Sequence, residues 1–461
     1  GFMPADDRVA GDADRSPLTP RANRITRWPV ARRLKACFLI CLASAGCTDL
    51  RYDNTAQEFD RPFDACNDSV CVIWFKTSYL YPCRDIFGLT WLGRLLLGDE
   101  AWNVDSEGGV ADGPFFVNRD IQSVTPEQAR AGAAVGSPPV GPWKIKRRKQ
   151  AGVTPGFIGT DAEGRTFLVK LDDLDFPELG TSAEIIGSRI FWLLGYRVPP
   201  ISLVTIDGTG DSRFDGRRAT ASLFVQGEVL GGFSFDHFRM RREIRALRLV
   251  GAWLNDTDRG DNNTLVSVRD GRAECYFVDF NSCLGSWNGR PKAPWRGWRH
   301  AWDVEYQLLG LFTLGLLPDL PTRTDMHSPG IGTLDLLAHA SARRWRPQFA
   351  HTGFDRVTPS DADWIARRIA AVSRAQLEAV VAAAEFSRAE DAESAMHMLL
   401  ERRRRVLESW GFGQPASASG GPEANGRVGA LEAERRRFAR RSGIGYDGEL
   451  RAGTSGTGRD W

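Results

Sequence analysis

The chain has 461 residues, 42% of them apolar and 26% charged, which excludes wholesale disorder and indicates roughly two or three globular domains. Sixty basic residues against 58 acidic ones leave a net charge of +2. This balance is too even for a protein whose main task is to coat nucleic acid, so no nucleic-acid partner is expected.

The first 47 residues are expected to be a polar leader that ends in an export signal. Basic residues such as Arg33 and Lys35 precede the apolar run 36–45, and small residues follow as far as Cys47. This order is typical of a secretory signal. The ending Ser-Ala-Gly-Cys resembles a bacterial lipobox, which implies a lipid on Cys47 and an envelope lipoprotein on the periplasmic side of a membrane. The alternative is a cytoplasmic protein with a short buried helix here.

Residues 48–140 are an extension of mixed character, and residues 141–230 form a region of short strands. Cys66 and Cys83 lie close enough in sequence for one disulfide in an oxidising compartment. Apolar alternation and turn residues predict the elements of the second region. In chain order they are a strand at 143–150, a glycine-bearing turn at 151–156, strands at 157–160 and 165–170, a helix at 181–194 stopped by Gly195, and strands at 199–206 and 219–226.

The region 231–412 changes to helical periodicity. The predicted helices are 238–254, 302–317, 359–371, 374–384 and 389–410, with a polar loop at 255–263 and a strand at 276–278. Residues 413–461 are expected to be a mostly disordered tail with a short helix at 429–440. Strands followed by helices predict an α+β fold with a small β-rich lobe and a larger helical lobe.

Five polar residues fall in an order that suits phosphoryl transfer from a nucleotide. They are Lys170 at a strand end, Glu184 on the next helix, Asp258 and Asn263 in the polar loop, and Asp279 after a strand. A lysine holds phosphates and a glutamate holds the lysine, while an aspartate orients the acceptor hydroxyl. The oxygens of an asparagine and a second aspartate suit Mg²⁺ or Mn²⁺.

These residues resemble the atypical branches of the protein-kinase-like superfamily. The loop WLNDTDRGDNNTL is similar to the catalytic loops of HipA-like and phosphoinositide kinases, which implies that Asp258 is catalytic and that Asn263 binds metal. FVDFN resembles the metal-binding aspartate motif, which gives that role to Asp279. The resemblance implies a two-lobed kinase-like fold, with ATP and Mg²⁺ or Mn²⁺ as cofactors.

The same resemblance assigns the nucleotide contacts. The turn at 151–156 corresponds to the glycine-rich loop over the phosphates, and the segment 224–228 corresponds to the hinge beside adenine. The residues assigned to nucleotide binding are Gly152, Thr154, Gly156, Lys170, Phe224 and Gln226. The chain from 101 to its arginine-rich C-terminal helix is also similar to a group of bacterial envelope proteins that carry this core.

Three other interpretations of these residues stay open. Asp256, Asp258 and Asp261 could form a calcium loop, although Ser267 stands where that loop needs a glutamate, or the segment could be a turn without a ligand. Glu184 could instead complete a capping box that begins at Thr181.

The expected activity is metal-dependent phosphoryl transfer from ATP to an unknown protein or small-molecule hydroxyl. One alternative is nucleotidyl transfer (AMPylation) on the same fold. The other is a non-catalytic envelope binding or scaffold protein, which is favoured by Asn281 in the place where kinases have glycine after Asp279-Phe280.

Overall fold

The computed structural model describes residues 70–81, 100–149, 153–300, 304–315, 326–334, 343–349 and 351–412. Several sequence predictions lie outside these residues: the leader 1–47 with Cys47, the Cys66–Cys83 pair, Gly152 and the tail 413–461. Within the described residues, no helix combines the length and the apolar character that crossing a membrane requires.

A five-stranded antiparallel sheet forms the first part of the fold, with strand order β1-β2-β3-β5-β4. Its strands are β1 Lys144–Arg148, β2 Gly156–Thr160, β3 Thr166–Leu171, β4 Ile201–Thr205 and β5 Arg218–Leu223. Phe167 and Val169 of β3 are buried in a cluster that contains Trp143 and Phe214. Because successive side chains of a strand point to opposite faces, Lys170 lies on the other face of the sheet.

Among the described residues, the α-helices that belong to or precede this part are α1 Val70–Phe75, α2 Pro126–Ala131 and α3 Leu179–Leu194. The α3 helix connects β3 to β4 and ends at Gly195, whose φ of 108° requires glycine. The capping-box interpretation of Glu184 is wrong, because Asp172 accepts the Thr181 backbone N–H at 2.8 Å. Glu184 is therefore free to point away from the helix end.

The second part of the fold is helical and contains most of the main core. Its helices are α4 Arg242–Leu254, α5 Val304–Phe312, α6 Thr352–Asp355, α7 Pro359–Ala371, α8 Arg374–Ala382 and α9 Ala389–Ser409. A capping box of Thr358 and Asp361 begins α7 where the sequence predicted it. The helix predicted from residue 238 begins only at Arg242, because 235–240 form turns. The predicted α+β class is confirmed.

A second sheet, which the sequence predicted only at 276–278, lies within the helical part. Its order is β6-β7-β8, formed by β6 Glu228–Gly231, β7 Thr264–Arg269 and β8 Arg272–Phe277. Two short hairpins follow, β9 Ser286–Trp287 with β10 Arg290–Pro291, and β11 Met326–Ser328 with β12 Gly332–Leu334.

The β7–β8 hairpin sets the positions of two predicted site residues. Thr264 pairs with Phe277 at its open end, so Asn263, just before β7, lies opposite Val278, just after β8. The Val278 N–H donates to the Asn263 carbonyl at 3.1 Å. Asp279 is therefore held next to the polar loop.

Candidate functional site

Lys170 joins the sheet, helix α3 and the segment after β8. Its Nζ lies 3.1 Å from Glu184 Oε1 and 3.0 Å from Asp279 Oδ1. Lys170 and Glu184 are buried, whereas 30% of the Asp279 side chain is exposed. The structure thus brings these three predicted residues into contact, with one carboxylate open to solvent.

The charges of Lys170 and Asp279 stabilise each other, whereas burial and the negative charge of Asp279 raise the pKa of Glu184. Burial opposes the positive charge on Lys170, but Asp279 and Glu184 outweigh it, so the Lys170 pKa lies above its usual value. Burial also opposes ionisation of Asp279, yet Lys170 outweighs it and lowers the Asp279 pKa. Glu184 further accepts the Phe280 backbone N–H at 3.0 Å. Glu184 therefore fixes both the lysine and the chain that follows Asp279.

Asp279 has a left-handed backbone conformation, with φ of 59°. This region is uncommon for residues other than glycine, asparagine and aspartate, and such conformations concentrate at functional sites. In this conformation the Asp279 carboxylate contacts Lys170 Nζ at 3.0 Å. The sequence motif predicted this residue but not its conformation.

Asp258 and Asn263 lie in the polar loop beside this group. The Asn263 side-chain amide donates to the Asp258 carbonyl at 2.6 Å. Burial, together with the negative charges of Asp279 and Asp256, raises the pKa of Asp258 to about 7. A carboxylate with a pKa near neutrality is suited to receive a proton from a hydroxyl group.

Arg259 is a residue of the site that the sequence argument missed. Its guanidinium contacts Asp256 Oδ2 at 2.8 Å and donates to the carbonyls of Asn263 and Val278 at 3.1 and 2.7 Å. It also donates to the Asp279 carbonyl at 3.1 Å. One buried side chain therefore holds the polar loop against the segment that carries Asp279. In the sequence, the Asp-x-x-Arg spacing of Asp256 and Arg259 was the feature that indicated this pairing.

The calcium-loop interpretation is wrong. Asp256 is paired with Arg259, and Asp261 Oδ1 accepts the Phe235 backbone N–H at 2.9 Å. Both residues are buried. Two of the three carboxylates that such a loop would need are therefore bound within the protein.

The turn before β2 lies against the same group. Gly156 is opposite Lys170 in the β2–β3 register, and a Cβ there would come within 2.0 Å of the Val169 carbonyl oxygen. Thr154 Oγ1 accepts the Asn281 side-chain amide at 2.9 Å. Asn281, the departure from the kinase motif, thus anchors the turn.

Lys149 is a second cation near the site that the sequence argument did not select. Its Nζ donates to the Thr154 carbonyl at 3.1 Å. Burial lowers the pKa of Lys149, the positive charge of Lys170 lowers it further, and Asp279 opposes this. Lys149 is therefore bound to the turn before β2, whose Gly156 lies opposite Lys170.

The two predicted adenine contacts lie outside this group. The side chain of Phe224 is 45% exposed, and Gln226 Oε1 accepts from Arg269 at 3.3 Å. Within the described part of the chain, neither side chain has a hydrogen bond to Lys170, Glu184 or Asp279. A role in holding a base stays a prediction.

The site fits a divalent metal only if a bound nucleotide supplies some of the oxygen atoms that coordinate the metal. Among the residues that the structure describes, no three His, Cys, Asp or Glu side chains could hold a metal by themselves. Asn263 and Asp279 offer two oxygen ligands, which suits Mg²⁺, an ion that takes one or two protein ligands together with phosphate oxygens and water. The donor set therefore fits a metal that arrives with a nucleotide.

Comparisons with known proteins concern the fold alone. No protein-family model matches the sequence, and no curated protein matches it significantly. The structure is similar to that of the Helicobacter pylori proinflammatory kinase CtkA, with a TM-score of 0.35 and 12% identity over 58% of this chain and 94% of that chain. It is also similar to Shewanella oneidensis HipA, solved with HipB and operator DNA, with a TM-score of 0.31 and 13% identity over 58% and 66% of the two chains.

Proposed function

We propose that this protein is a metal-dependent phosphotransferase that moves the γ-phosphoryl group of ATP to a hydroxyl of an unknown protein or small molecule. The observation that carries the proposal is the contact of Lys170 with both Glu184 and Asp279, beside the loop of Asp258 and Asn263. A buried lysine, a carboxylate that fixes it and a second carboxylate open to solvent are the parts that phosphoryl transfer requires.

Each residue then has a role that follows from its surroundings. Lys170 would bind phosphate oxygens, held in place by Glu184. Asn263 and Asp279 would bind Mg²⁺ or Mn²⁺, which neutralises developing charge on the phosphates. Asp258 would orient the acceptor hydroxyl or take its proton, since its pKa of about 7 suits a base at neutral pH.

Two features bear on the alternatives. Asn281 anchors Thr154, so its presence in place of glycine is compatible with a working phosphate turn and does not by itself favour a scaffold. Nucleotidyl transfer would need the same residues with ATP reversed, and product analysis separates it from phosphoryl transfer. We further propose, on the sequence pattern of 1–47, that the chain is exported and anchored in the bacterial envelope through Cys47.

The test is to incubate the purified chain with Mg²⁺ or Mn²⁺ and ATP labelled at either the α or the γ position. We expect ADP as the product and the γ label on the chain, on an added acceptor or in phosphate. Asp258→Asn should lower the rate by roughly 100-fold or more. Asp363→Asn, at an exposed carboxylate of α7 paired with Arg367, is the matched control and should leave it unchanged.

The other outcomes are equally informative. Pyrophosphate with incorporation of the α label would replace phosphoryl transfer by nucleotidyl transfer. No nucleotide product with either metal would contradict catalysis and favour the scaffold interpretation.

A further inference from the structure

A cavity of about 300 Å³ lies between the five-stranded sheet, helices α2 and α3 and the loop 134–139. Apolar side chains of β3, β4 and β5 line one side of it, and helix α2 with the loop 134–139 lines the other. The apolar lining includes Ala131, Val135, Pro138, Phe167, Leu203 and Leu223. Its volume is at the lower end of the range of small-molecule sites.

Arg189 of α3 lines this cavity and carries a buried charge without a counter-charge. The residue is 5% exposed. Its Nε donates to the Arg130 carbonyl at 2.8 Å and its Nη2 to the Ile201 carbonyl at 2.7 Å. Its Nη1 has no hydrogen-bond partner. No carboxylate in the described part of the chain is within ion-pair distance of it.

The electrostatics agree with this geometry. Burial lowers the pKa of Arg189 to about 10, and no acidic group acts in the opposite direction. A buried charge is costly unless it is paired. An anion that enters the cavity and pairs with Arg189 would therefore remove the free-energy cost of burying this charge.

The other arginines of the cavity are already paired. Arg130 lies 3.5 Å from Glu385, and Arg165 lies 2.6 Å from Asp161. Glu127 also lines the cavity. The site therefore offers one unmatched positive charge within a lining that is partly apolar and partly polar, with acidic groups that disfavour a multiply charged ligand.

We propose that this cavity binds a small organic monocarboxylate, whose carboxylate is paired with Arg189 and whose apolar body lies against β3, β4 and β5. The site is independent of the proposed nucleotide site. Glu184 and Arg189 are five residues apart on α3, which corresponds to about 7.5 Å along the helix and about 140° around it. They therefore face opposite sides of the helix.

Thermal unfolding of the full chain tests the proposal, with sodium hexanoate, benzoate and inorganic phosphate as probes against sodium chloride at equal ionic strength. Hexanoate or benzoate at saturation should raise the Tm by roughly 2–4 °C, and phosphate should not. Arg189→Met should abolish the shift. Ser202→Phe, which fills the cavity but keeps Arg189, should also abolish the Tm shift. This variant replaces Arg189→Met in the test if Arg189→Met does not fold.

The variant Asp279→Asn should keep the Tm shift with hexanoate or benzoate, because Asp279 belongs to the proposed nucleotide site and not to this cavity. The result is therefore independent of whether the proposed function is correct. The proposal is overturned if neither carboxylate raises the Tm, or if the shift survives in both cavity variants. A shift with phosphate alone would also overturn it, since the site would then lack its apolar component.

Discussion

At the scale of single residues, Arg259 has the largest structural role in the site. Its guanidinium lies 5.1 Å from the ring of Phe191 and 4.7 Å from that of Phe280, in addition to its bonds to three backbone carbonyls. A planar group with five donors can make all these contacts at once, whereas an ammonium cannot. The relative position of Asp258 and Asp279 therefore depends on an arginine at this position.

We predict that Arg259→Lys lowers the free energy of unfolding by about 2–4 kcal/mol, because buried carbonyls lose their donors, and weakens Mg²⁺–ATP binding. Urea unfolding and calorimetric titration measure the two effects. Arg213→Lys, at an exposed arginine paired with Asp211, is the control and should change stability by less than about 0.5 kcal/mol. If Arg259→Lys and Arg213→Lys were equally stable, the contacts of the Arg259 guanidinium would not be needed for stability.

The sequence selected the five polar residues but not Arg259, which holds the polar loop against the segment of Asp279, or Lys149, which binds the turn before β2. Lys170, Glu184 and Asp279 were recognisable because their residue types and order match a known chemistry. Arg259 and Lys149 were not, since a basic residue in a polar loop or at a strand end is usually solvated. What distinguishes Arg259 and Lys149 from solvated basic residues is the set of carbonyl groups that they bind. Those carbonyl groups come close to them only in the folded chain.

At the scale of elements, α3 and the segment after β8 determine the geometry of the site. A Cβ at Gly187 of α3 would lie 2.9 Å from Phe280 Cβ and 2.8 Å from Cys283 Sγ. Glycine therefore allows α3 to approach the residues that directly follow Asp279. This approach brings Glu184 within reach of Lys170 and of the Phe280 N–H.

We predict that Gly187→Ala destabilises the protein by about 1–3 kcal/mol through overpacking and weakens nucleotide binding as α3 moves away. Thermal unfolding and ATP titration with Mg²⁺ measure both effects. Adding Cys283→Ala should restore part of each loss, because it removes one of the two close contacts. Unchanged nucleotide affinity in Gly187→Ala would contradict the proposed role of this packing.

The sequence predicted α3 well and the β7–β8 hairpin poorly. Apolar periodicity and Gly195 marked the helix. The hairpin had its own signal, Asp270-Gly271, with φ of 53° and 73°, the dipeptide typical of a two-residue turn. The sequence did not predict the hairpin, because buried and less buried residues alternate only partly along β7.

At the scale of the whole molecule, the described part of the N-terminal extension packs into the main core. Phe115 and Phe116 are fully buried, and the Cys275 N–H of β8 donates to the Pro114 carbonyl at 2.8 Å. This packing was not predicted, because the composition of 48–140 does not indicate which element the segment packs against. The α+β class, in contrast, followed from the order of strand and helix patterns, which depends on local periodicity alone.

The central claim is that Lys170, Asn263 and Asp279 form one site for a nucleotide with its metal. Thermal unfolding of the full chain with ATP, with and without Mg²⁺ or Mn²⁺, tests it most directly, with Asp279→Asn as the variant and Asp363→Asn as the matched control. We predict that the metal–nucleotide complex raises the Tm of the wild type and the control by roughly 2–4 °C and leaves Asp279→Asn unchanged. A Tm that no nucleotide raises, or an equal rise in Asp279→Asn, would contradict the claim.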